Sequence, residues 1–158
     1  MRYAAIQELV RGWKDDPETL PWLKQLAQSD NNSAARRVAV QQLVRGWKDD
    51  PDILPILKQL AQPDNNYAVQ DAAVQELARE WKDERGVFED LGDIAINYPF
   101  ERKSKLQLNP RRTALEIMLK QYPDRPKTLE ILRDRFANDP DEKVRYFAQK
   151  KLTQLEKL

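Results

Sequence analysis

A chain of 158 residues has the length of one ordinary domain. Its 27 Lys and Arg nearly cancel 26 Asp and Glu, and a net charge of +1 supplies no long-range field toward nucleic acid or an anionic membrane. Neither Cys nor His is present, which excludes disulfides, thiolate zinc sites, cysteine nucleophiles and imidazole acid–base chemistry.

Abundant Leu, Ala, Lys, Glu, Gln and Arg favour helix, and four glycines are too few for a loop-rich or barrel fold. No apolar run reaches membrane-spanning length and no signal-peptide pattern opens the chain, so a cytoplasmic protein is expected. A helical pattern begins at once, at Met1-Arg2-Tyr3-Ala4-Ala5-Ile6, with no capping residue before it. The expectation is a chain that starts inside a repeat, its first unit (1–32) truncated.

Self-similarity then organises the rest. Residues 3–32 and 37–66 agree at about three-quarters of their positions, a level that marks them as copies of one unit. Both contain Leu-Val-Arg-Gly-Trp-Lys-Asp-Asp-Pro, then Leu-Lys-Gln-Leu-Ala-Gln, then Asp-Asn-Asn. Trp13, Trp47 and Trp81 recur at intervals of 34 residues.

The longer helix of the second unit (33–66) is expected from Ser33 to Trp47. Its apolar positions Ala35, Val38, Ala39, Val40, Leu43, Val44 and Trp47 form a band wider than one stripe, so it must touch neighbours on several sides. The shorter helix is expected from about Pro51 to Ala61, with Asp50 as cap and Pro51 as first helical residue. Pro63-Asp64-Asn65-Asn66 should stop it and cap the next.

The third unit (67–110) contains an insertion at 97–109, seven residues beyond the period, before Asn109-Pro110 restarts the pattern. In the fourth (111–158), which ends in a terminal helix, Tyr122 takes the Trp position and Ala148 matches Ala39.

Asp139-Pro140-Asp141-Glu142-Lys143 followed by Val144-Arg145-Tyr146-Phe147-Ala148 resembles the Asp-rich turn and Val-Arg-x-x-Ala opening of second helices in HEAT repeats. Ala35-Arg36-Arg37-Val38-Ala39 and Val69-Gln70-Asp71-Ala72-Ala73 are variants of it. The resemblance implies an all-α chain, a right-handed α-solenoid of HEAT-like helical hairpins with about nine helices, as one array over 1–158. The Arg-Gly-Trp-Lys-Asp-Asp-Pro cassette also resembles repeats attached to cyanobacterial NACHT-type signalling NTPases. The period of 34 is shared with tetratricopeptide repeats, but their Trp-x2-Leu-Gly-x2-Tyr spacing is absent.

Four groups of residues could carry chemistry. The tryptophans could stack bases, sugars or a bilin; their identical placement in successive repeats suits packing of repeat on repeat instead. The pairs Asp15-Asp16, Asp49-Asp50 and Asp83-Glu84 look like acid–base or metal pairs, but neighbours near a helix start serve more simply as caps.

The polar face of the longer helices is the third group. Stacked by one period, Tyr3/Arg37/Asp71/Arg112, Gln7/Gln41/Gln75/Glu116, Arg11/Arg45/Arg79/Lys120 and Lys14/Lys48/Lys82 form rows, which the resemblance places on a concave binding surface. The fourth is the insertion, whose Arg102, Lys103 and Lys105 make the only locally basic stretch and could meet an acidic partner.

The expected function is a protein-interaction scaffold or a sensor and regulatory module of a larger signalling protein, without catalysis or cofactor. Its binding residues would be Arg37, Gln41, Arg45, Lys48, Asp71, Gln75, Arg79, Arg102, Lys103, Lys105 and Arg112. The alternative is a HEAT-fold enzyme or binder of nucleic acid or chromophore, similar to alkylpurine DNA glycosylases or bilin lyases. The neutral charge balance argues against a DNA groove. A truncated first unit would also expose Met1, Tyr3, Ala4 and Ile6 for self-association.

Overall fold

A computed structural model describes residues 2–62 and 66–157, with the side chain of Arg2 left aside. The described residues form nine helices and no strand. They divide into two compact units, Met1–Glu80 and Trp81–Leu158. None of the helices is long and apolar enough to cross a membrane.

The first unit holds α1 (Arg2–Trp13), α2 (Thr19–Ser29), α3 (Ser33–Trp47), α4 (Ile53–Leu60) and α5 (Tyr67–Glu80). Helices α1, α3 and α5 neighbour one another in turn, while α2 packs on α3 and α4 on both α3 and α5. Long helices thus make one layer and short helices the other. The wide apolar band of α3 follows from this position among α1, α2, α4 and α5: Val38, Ala39, Val40, Leu43 and Val44 are all buried.

The second unit repeats the plan with α6 (Val87–Asn97), α7 (Pro110–Gln121), α8 (Pro126–Asn138) and α9 (Glu142–Glu156). Short α6 and α8 touch, long α7 and α9 touch, and each short helix packs on the long helix after it. Tyr122, 2% exposed, meets Phe88 edge-on with ring centroids 5.0 Å apart, and its hydroxyl donates to the Lys82 carbonyl at 2.8 Å. Gly86, at φ 91°, starts α6 where the Asp-Pro signal is missing.

The Trp cassette builds one turn four times. The carbonyls of Trp13, Trp47, Trp81 and Tyr122 accept the N–H three residues on, from Asp16, Asp50, Glu84 and Arg125. Those four residues accept in turn from Thr19, Ile53, Val87 and Thr128. Thr19 and Thr128 add a hydroxyl bond to the same Trp13 and Tyr122 carbonyls, at 2.6 and 2.9 Å.

Asp50 and Pro51 therefore belong to this double turn, and α4 begins two residues later than the sequence signal suggests. The Asp50 carboxylate accepts from the Asp52 N–H at 2.9 Å, as Asp16 does from Glu18 at 2.8 Å. The longer helices are capped as expected: Asn32 accepts from Ala35, Asn66 from Ala68, Asn109 from Arg111 and Asp141 from Lys143. The remainder of the 63–66 linker, Pro63, Asp64 and Asn65, lies outside the described residues.

A second periodic device was not read from the sequence. Arg36 donates to the Ala27 carbonyl (2.8 Å), Gln70 to Ala61 (2.9 Å), Arg111 to Tyr98 (2.6 Å) and Arg145 to Asp139 (2.6 Å). Each of these side chains enters with a long helix and satisfies a carbonyl at the end of the short helix before it, where backbone acceptors lack helical partners and a cation is favoured. This gives the Val-Arg opening of the repeat a physical purpose.

Candidate functional site

Of the carboxylate pairs, one member each of the first two is occupied by architecture. Asp16 and Asp50 hold their turns, and Lys24 of α2 bridges to Asp50 (3.2 Å) and Asp52 (3.0 Å). The Asp52 hydrogen bond leads in raising the Lys24 ammonium above its ordinary value, and the Asp52 backbone N–H leads in lowering the Asp50 carboxyl. No cluster of three or more acidic side chains among the described residues is placed to hold a metal ion.

In the first unit the polar-row residues differ in exposure. Arg37, Arg45, Gln75 and Arg79 are exposed, and Gln41 and Asp71 half-buried. Lys48 of α3 reaches Glu80 of α5 at 2.9 Å, and this bond leads in holding the Glu80 carboxyl low. Asp71 accepts from Gln75 at 2.9 Å. Gln7, Arg11, Lys14, Gln42 and Arg45 border a shallow groove of about 290 Å³ between α1 and α3.

Beneath the row lies Glu76, 6% exposed. Burial raises its carboxyl above the ordinary range, against the opposing pull of Arg79, with which it pairs. The preceding repeat has Gln42 at this position, also buried.

The same unit carries an apolar hollow of about 320 Å³, lined by Leu9, Trp13, Trp22 and the Asp16–Thr19 turn. Trp13 is 60% and Leu9 45% exposed, whereas Leu43 and Leu77, one and two periods on, are buried. Tyr3 is also exposed, but Ile6 is buried in the core and is removed from the expected apolar end. Met1 lies outside the described residues.

The insertion is wound closed rather than held out. Arg102 pairs with Asp141 at 2.6 Å and donates to the Gln107 carbonyl at 2.6 Å, while the Lys103 N–H donates to the Gln107 side chain at 2.9 Å. Burial would raise the Asp141 carboxyl, but the Arg102, Asn109 and Lys143 hydrogen bonds outweigh it and hold it at about 2. Arg102 is therefore committed to an anchor, and of its three expected cations the insertion keeps Lys103 and Lys105 exposed, beside an exposed Glu101. Behind them Arg111 and Asp139 form a buried bidentate pair, 2.9 Å on both arms, joined by Arg135 at 3.1 Å.

Arg112 has neighbours the rows did not foresee. It lies over the Phe147 ring at 5.0 Å and holds Glu116 at 3.1 Å, on one wall of a groove of about 780 Å³ between α7 and α9. Leu119 and Lys120 continue that wall; Lys143, Tyr146, Phe147, Lys150, Lys151 and Gln154 supply the other. The spacing Lys143, Tyr146/Phe147, Lys150/Lys151 on α9 is one helical face and was the available signal.

The family model described as HEAT repeats matches residues 1–85. Repeats of this kind in general serve as protein-interaction scaffolds. No curated protein and no solved structure matches the chain.

Proposed function

From the premise that this chain belongs to the HEAT-repeat family, we propose that it is a cytoplasmic protein-binding module that presents the polar faces of its long helices to a partner and performs no catalysis. The observation that supports this most is the division of labour in each repeat. The Trp carbonyls and the Asp and Thr side chains are engaged in the turns, while Arg37, Arg45, Gln75 and Arg79 stay at the surface of the long helices. A conserved turn with a variable exposed face is the arrangement by which repeat proteins change partner without changing fold.

A photo-crosslinking residue placed at Arg45 or Gln75 tests the reading. It should capture a defined protein from the cell, and the same residue at Gln59 on short helix α4 should not. Equal labelling from both faces, or none from either, would reject it.

The likeness of the cassette to repeats attached to NACHT-type NTPases supports a regulatory role within a larger signalling protein, including Lys48 as a paired member of the face. An NTPase module in the same reading frame is the observation to seek. Self-association through the Leu9, Trp13 and Trp22 hollow belongs to the same reading. Light scattering that finds a strict monomer at high concentration rejects that part alone.

A further inference from the structure

Whole-chain neutrality conceals an uneven distribution. Residues 1–80 hold 10 basic and 12 acidic side chains; residues 81–158 hold 17 and 14. Much of the excess in the second unit gathers on the α7–α9 groove, where Arg112, Lys120, Lys143, Lys150 and Lys151 surround a single carboxylate, Glu116. Arg112 and Lys151 both sit by the Phe147 ring, at 5.0 and 5.7 Å, so that ring is covered by its own cations. Tyr146 is not: it stands 65% exposed beside them.

Resting on the protein-binding reading, we infer that the α7–α9 groove receives an acidic segment of a partner protein that also carries an apolar or aromatic side chain. Charge complementarity sets the sign: five cations against one acid attract carboxylates and repel a basic partner. The exposed Tyr146 ring, with Leu119 opposite, supplies the apolar anchor such a segment needs for affinity beyond steering. A duplex or long single strand needs a basic track that continues beyond one groove; here Glu116 interrupts the cations and 14 acidic side chains share the unit. Four of the five cations are lysines, which act as point charges and suit carboxylates at varied angles.

The probe is a fluorescein-labelled peptide of Glu-Glu-Leu-Phe repeats, followed by anisotropy with the full chain. Its Lys-Lys-Leu-Phe counterpart and a labelled oligothymidine run beside it. The acidic peptide should bind best and weaken as salt rises. The double variant Lys150→Glu/Lys151→Glu should lose affinity by about tenfold or more, and Tyr146→Ala by a few-fold without a change in salt dependence. Arg133→Glu, exposed on short helix α8, should leave binding unchanged. Circular dichroism confirms that the variants, at surface positions, remain helical.

No binding of the acidic peptide, no loss in the double variant, or tighter binding of the oligothymidine would overturn the inference. Crosslinking from Arg45 or Gln75 is read separately. A partner captured there without peptide binding leaves the general reading standing and removes this one; peptide binding with no partner captured from Arg45 or Gln75 removes the first-unit face and keeps the α7–α9 groove as the binding surface.

Discussion

Asp139→Asn is the most informative single change in the second unit. Asp139 is fully buried and its two oxygens face the Arg111 guanidinium at 2.9 Å on both arms, with Arg135 at 3.1 Å on one of them. Asparagine keeps the volume but leaves the Arg111 guanidinium, 5% exposed, without a counter-charge and that of Arg135, 9% exposed, with Asp134 alone. Removing one partner of such a pair costs about 3–5 kcal/mol. Arg111 retains the Tyr98 carbonyl and Arg135 retains Asp134, which places the loss toward the lower end. At about 2–4 °C per kcal/mol for a chain of this size, the melting temperature should fall by roughly 6–15 °C, followed by circular dichroism. Asp134→Asn is the control: Asp134 is 42% exposed, and losing its bond to Arg135 should cost at most about 1 kcal/mol. A melting temperature within about 2 °C of the parent for Asp139→Asn, or equal losses for the two variants, would refute the argument that burial makes this cluster matter.

Three further outcomes follow from neighbouring groups. Glu76 binds its proton more tightly folded than unfolded, because burial raises its carboxyl, so stability should fall as pH rises from the ordinary Glu range through that raised value. Glu76→Gln, the residue type of Gln42 one period earlier, should remove that decline and raise the melting temperature at neutral pH; an unchanged pH profile would contradict it. Asp141 behaves oppositely: held at about 2 against an ordinary 3.8, it contributes stability that is complete above about pH 4 and is lost as pH falls toward 2. Acid melts of Arg102→Leu should show a smaller loss across that window than the parent. Gly86→Ala forces a side chain into a left-handed backbone at φ 91° and should cost about 1–2 kcal/mol in a denaturant titration, although nothing crowds the added carbon.

The helices were legible because their signals are local and repeated. Apolar spacing alone located α3 from Ser33 to Trp47, and Asn109-Pro110 marked the start of α7. The start of α4 was misplaced because Asp-Pro serves equally as a helix start and as a turn, and the Asp50 N–H bond to the Trp47 carbonyl distinguishes them. The carbonyl-capping row Arg36, Gln70, Arg111 and Arg145 was visible as a periodic column but not as a mechanism. Its acceptors lie at the ends of the preceding short helices, up to 13 residues away.

Surface charge was legible only where one helix carries it. Reading the insertion as the basic site counted charges along the chain, and Arg102 answered a carboxylate 39 residues on. The α7–α9 groove has the opposite history: Arg112 and Lys143 are 31 positions apart, and of the acids between them Asp134, Asp139 and Asp141 are paired with Arg135, Arg111 and Arg102. Net charge sums over all of these alike. Surface charge is the remainder after internal pairing, and in the second unit that remainder includes the lysines of one long-helix face around Tyr146.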